Sequence, residues 1–122
     1  MSDVKRNFIA GEWVAGANHS TNVNPSNTND IVGLYAQADA AQTRQAIAAA
    51  RAAFPAWSRA SPQMRADALA RIAAEILARK DELGRLLSRE EGKTLAEGIG
   101  EAARAGQIFR FFAGDESRIH RF

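Results

Sequence analysis

The chain has 122 residues, 46% hydrophobic and 25% charged, which is the composition of one small globular domain. Sixteen Lys and Arg against fourteen Asp and Glu leave a formal charge of +2. The basic residues are scattered, several of them four residues after an acid (Asp67 with Arg71, Glu75 with Arg79, Asp81 with Arg85), which is the spacing of solvated helix pairs and not of a nucleic-acid patch.

No apolar run approaches the roughly 18 residues that would span a membrane, and Met1-Ser2-Asp3-Val4 leads into polar residues, unlike a signal-peptide core. With no cysteine in the chain, the expectations are a cytoplasmic location, no nucleic acid and no membrane. Much of the apolar fraction is alanine, with six Phe, two Trp, one Tyr and two Met. Large side chains dominate burial energy, so the core is expected to be thin.

Residues 1–38 read as short strands and turns. Phe8-Ile9 and Trp13-Val14 flank the small-residue bend Ala10-Gly11-Glu12, which predicts a hairpin. Asn22-Val23-Asn24 precedes Pro25 and is expected to be extended, because proline disfavours helix at the residue before it. Ser26-Asn27-Thr28-Asn29-Asp30 is dense in side chains that bond their own backbone, a turn ahead of the strand Ile31-Val32-Gly33-Leu34-Tyr35. Such strands cannot make a stable sheet alone.

Residues 39–114 read as a layer of three helices, over about 39–54, 62–90 and 95–112. Asp39 caps the first, with Gln42 expected to return the bond and with Thr43, Ile47, Ala50 and Phe54 on one face, and Pro55 is expected to end it. Ser61-Pro62 starts the second, and Leu69, Ile72, Ala73, Ile76, Leu77, Leu83, Leu86 and Leu87 keep a 3.6-residue period for about seven turns. Gly92 marks its stop, and Thr94 with Glu97 is a capping box for the third helix. Gly98, Ala102 and Gly106, four apart, lay a smooth strip on that helix where another element can approach closely.

Candidate chemistry is sparse. Glu90 and Glu91 beside Gly92-Lys93 form either a carboxylate pair suited to acid–base work or a solvated charge cluster at a helix end, and the glycine stop favours the second. His19 and His120 have no Cys, second His or acid at metal-ligand spacing. Gly98-Ile99-Gly100 lacks the third glycine and the preceding strand of a dinucleotide loop. Asn18-His19-Ser20 matches a glycosylation pattern without a secretory context. Phe109, Phe111 and Phe112 could stack on bases, but a helix end packing into a core accounts for them more simply. No catalytic, cofactor-binding or metal residue is therefore assigned.

Several runs, in order and spacing, carry a resemblance. They are Asn7-Phe8-Ile9-Ala10-Gly11-Glu12-Trp13-Val14, Asn24-Pro25, Ala48-Ala49-Ala50-Arg51-Ala52-Ala53-Phe54 with Trp57, Ser88-Arg89-Glu90-Glu91-Gly92-Lys93-Thr94-Leu95-Ala96-Glu97, and Ile108-Phe109-Arg110-Phe111-Phe112-Ala113-Gly114. Together they resemble the N-terminal part of the NAD(P)-dependent aldehyde dehydrogenases, over about Asn7 to Gly114. The wording around Ser88–Leu95 is most similar to the branch that oxidises 2,5-dioxopentanoate (alpha-ketoglutaric semialdehyde).

The resemblance implies a mainly α fold with short N-terminal strands, the helical layer of an α/β enzyme without its central parallel sheet. It also implies NAD or NADP in the full-length family, where a cysteine thiolate, an oxyanion-holding asparagine and a water-activating glutamate do the chemistry. None of these maps onto a residue of this sequence. Some members hold a structural cation near the third helix, for which Glu101 is the one acid that could be nominated. After Gly114 the wording diverges, making 115–122 a divergent tail. The expectation is a truncated aldehyde dehydrogenase, inactive by itself and binding no cofactor alone. The alternative is a helical interaction module that docks on itself or on an intact dehydrogenase.

Overall fold

The computed structural model describes residues 4–118, with side chains to residue 115. Among the described residues four strands precede four helices, and the chain divides into two compact units, residues 1–59 and 60–122. The first helix thus belongs with the strands, whereas the residues read alone separated 1–38 from 39–114.

In the first unit, β1 (Asn7–Ile9) and β2 (Glu12–Val14) form an antiparallel hairpin closed by Ala10 and Gly11, both at positive φ (55° and 86°). Two left-handed residues match the right-handed twist of the strands, and glycine adopts that conformation at no steric cost. Phe8 and Trp13 stand opposite each other with ring centroids 4.9 Å apart.

A second antiparallel pair joins β3 (Asn18–Val23) to β4 (Ile31–Gln37), with a register shift between Asn22 and Val23. Its turn is built by side chains that mimic backbone: Asn24 Oδ1 accepts from Ser26 N (2.9 Å), Asn27 Oδ1 from Asn29 N (3.3 Å), and Asn24 Nδ2 donates to Asp30 Oδ2 (3.1 Å). Lys5 runs parallel along the other side of β4, its N donating to Leu34 O and its O accepting from Ala36 N, both 2.8 Å.

Helix α1 spans Ala40–Ser58, capped by Asp39, whose carboxylate accepts from Gln42 N at 2.7 Å. Two expectations are corrected here. The Gln42 side chain does not return the bond to the cap; it donates to Ala15 O (2.7 Å) and accepts from Asn7 Nδ2 (2.8 Å), tying α1 to β1 and the segment after β2. Nor does Pro55 end the helix, which runs on to Ser58. Proline removes one donor and crowds the preceding turn, but bonds on either side carry the helix past it at a cost of about 3 kcal/mol. No residue of α1 is buried, and Ile47 and Phe54 are exposed.

In the second unit, α2 (Pro62–Ala78) is capped by Ser61, whose Oγ accepts from Met64 N at 3.2 Å. The single helix expected over 62–90 is in fact two, since Arg79 (φ −105°, ψ 14°) interrupts it before α3 (Lys80–Glu91). No glycine or proline marks this break. Arg79 fastens it instead, with its guanidinium on Glu82 (2.9 and 2.7 Å) and 3.5 Å from Glu75.

Helix α4 (Leu95–Arg118) packs antiparallel along both, and it continues six residues beyond the expected end at 112, so residues 115–118 are helical and not a separate tail. Small residues make that packing possible. Gly98 lies against the Gly84 carbonyl, a Cβ on Gly106 would stand 2.7 Å from Leu77 Cγ, and among the described residues Ala66, Ala73, Ala102 and Ala113 are the buried apolar ones. The thin core expected from composition is realised: among the described residues no large side chain is fully buried.

Candidate functional site

The junction of α3 and α4 collects the charged residues singled out in the sequence. Helix α3 ends because Gly92 takes φ 74°, with its N–H bonding Ser88 O at 2.8 Å, a left-handed cap that glycine forms without a Cβ penalty. Helix α4 then restarts through the expected box. Thr94 Oγ1 accepts from Glu97 N (3.3 Å), while Glu97 Oε2 accepts from Thr94 N (3.0 Å) and from Thr94 Oγ1 (2.8 Å). Ser88 Oγ donates to Thr94 O at 3.1 Å, so the corner is bonded from both sides.

This corner places Lys93 Nζ 2.6 Å from Glu91 Oε2 and 2.6 Å from Glu101 Oε1, with the lysine side chain only 19% exposed. The hydrogen bonds from Glu101 and then Glu91 raise the Lys93 pKa above its ordinary value. An ammonium held this way is neither a nucleophile nor a base near neutrality. Glu97 is shifted the other way, its pKa lowered by the bonds from Thr94.

Glu90 diverges from Glu91 and lines an open, largely aliphatic hollow with Leu83, Leu87, Glu101 and Ala105. Glu91, by contrast, is engaged by Lys93. Through Lys93 the cluster ties the end of α3 to α4. Sequence reasoning paired neither Lys93 with Glu101, eight residues on, nor Arg79 with Glu82. The first is visible only once the corner folds the chain back, whereas the second was legible as a three-residue spacing.

The other candidates scatter. His19 sits exposed on β3 and His120 lies outside the described residues. Gly98 and Gly100 are inside α4, where the first packs on Gly84 and the second faces open space, so neither belongs to a phosphate-binding loop. Phe111 and Phe112 meet edge to face at 5.4 Å and are exposed, while Phe109 is half-buried. Glu101 is paired with Lys93, and no group of three or more His, Asp or Glu that could hold a metal ion is found among the described residues. No helix among the described residues is long and apolar enough to cross a membrane.

Comparison with known proteins places this architecture. The model of the aldehyde dehydrogenase family matches residues 13–121. The chain is 38% identical over 114 residues to a glutarate-semialdehyde dehydrogenase of Pseudomonas aeruginosa, covering 93% of this chain and 24% of that protein. It is also 38% identical over 114 residues to an alpha-ketoglutaric semialdehyde dehydrogenase of Bacillus subtilis, covering 92% and 23%. Among solved structures it resembles an NAD-dependent aldehyde dehydrogenase of Sinorhizobium meliloti (TM-score 0.87, 32% identity, 93% of this chain and 24% of that one). A betaine aldehyde dehydrogenase of Staphylococcus aureus in complex with NAD+ is similar at TM-score 0.85 and 32% identity, covering 90% of this chain and 22% of that one. The chain thus spans about a quarter of the length of the curated relatives it matches.

Proposed function

Because the chain belongs to the aldehyde dehydrogenase family, we propose that it supplies the N-terminal hairpin-and-helix portion of an enzyme that oxidises a semialdehyde to a carboxylic acid with NAD or NADP. The observation that carries this reading is the TM-score of 0.87 over 93% of the chain to an NAD-dependent aldehyde dehydrogenase. The two relatives named for glutarate and alpha-ketoglutaric semialdehydes, at 38% identity, support an acidic semialdehyde as the substrate class.

Within such an enzyme these residues are scaffold. They hold two hairpins and a helical layer in place, and they contribute no thiolate, since the 122 residues contain no cysteine. The polypeptide by itself neither binds the dinucleotide nor turns over aldehyde, and a cytoplasmic setting agrees with its cysteine-free composition. The test is a chimera in which residues 13–114 replace the matching residues of the P. aeruginosa relative. Retained NAD(P)-dependent oxidation of glutarate semialdehyde is expected; a folded chimera without activity would sink the scaffold reading. Turnover by the purified chain alone would sink its inactivity.

A second reading has one observation in its favour. Ile108, Phe111 and Phe112 on α4 and Met64 and Ile72 on α2 are each more than 40% exposed, apolar side chains that a partner would cover. On this reading the chain docks on itself or on an intact dehydrogenase. Light scattering with and without a full-length relative distinguishes the two readings, since a strictly monomeric chain that ignores the relative excludes the docking role.

A further inference from the structure

We draw no further inference here: the strongest candidate, the open hollow lined by Val4, Lys5, Arg6, Trp13 of β2 and Tyr35 of β4, sets two cations beside an exposed indole, but nothing in the structure shows what covers it in a chain that spans about a quarter of its relatives' length.

Discussion

Gly84 on α3 lies so close to Ile99 on α4 that a Cβ built on it would stand 2.6 Å from the Ile99 nitrogen, nearer than real Cβ atoms come to backbone. The two helices touch backbone to backbone at this point, and Gly98 repeats the arrangement from the opposite side against the Gly84 carbonyl. Gly84→Ala and Gly98→Ala are therefore expected to destabilise by about 1–3 kcal/mol, the cost of overpacking a fitted contact. Gly100→Ala, on the same helix but with nothing within 4 Å, should instead stabilise by about 0.5–1 kcal/mol through helix propensity. Urea denaturation of the three variants checks the opposite signs.

The α4 cap makes a pH-dependent contribution. The Glu97 pKa is lowered in the folded chain by its bonds from Thr94, so its stabilisation is present above the unfolded carboxylate value, about 4.3, and is lost as pH falls through the depressed folded value. Hydrogen exchange of the first α4 turn should accelerate in that acid window. Glu97→Gln should flatten the dependence, and Thr94→Ala should cost about 1 kcal/mol at neutral pH.

Lys93 behaves in the reverse sense. Its folded pKa is raised by Glu101 and Glu91, so its contribution is complete below the unfolded value, about 10.4, and disappears as pH rises through the folded one. Lys93→Met should loosen the α3–α4 corner at neutral pH, and salt should diminish the difference from wild type. Thermal melts at low and high ionic strength measure both effects; a Lys93→Met penalty that does not change with salt would show that packing of the lysine stem, and not charge, is what matters.

Pro55 sits inside α1 without support from any buried neighbour in that helix. Pro55→Ala restores a donor and removes the clash with the preceding turn, and should raise helix content and stabilise by about 1–3 kcal/mol. A loss of stability would mean that the proline is held by packing not evident from the exposure of Phe54 and Trp57.

With four alanines as the buried apolar residues among those described, this chain should be helical yet loosely packed. Strong far-UV circular dichroism, a weak near-UV signal from Trp13 and Trp57 (65% and 48% exposed) and binding of an apolar-surface dye are expected. A sharp thermal transition with a strong near-UV signal in a monomer would contradict this.

The elements whose causes are local were legible from the residues alone. Asp39, Ser61 and Thr94 with Glu97 start helices because a side-chain oxygen two or three residues away satisfies an orphan N–H, and Gly92 stops one because only glycine takes φ 74° without penalty. The four-residue spacing of Gly98, Ala102 and Gly106 likewise announced a close helix approach, and the ordered runs announced the family. Tertiary structure decided what depends on residues far apart in sequence. Gln42 leaves its own cap because Asn7 and Ala15 offer better partners, and Lys93 finds Glu101 because the corner turns the chain back. The break at Arg79 has no local signal, since arginine and its neighbours are good helix formers; it exists where α2 and α3 each pack against α4, and a spacing rule cannot see a neighbouring helix.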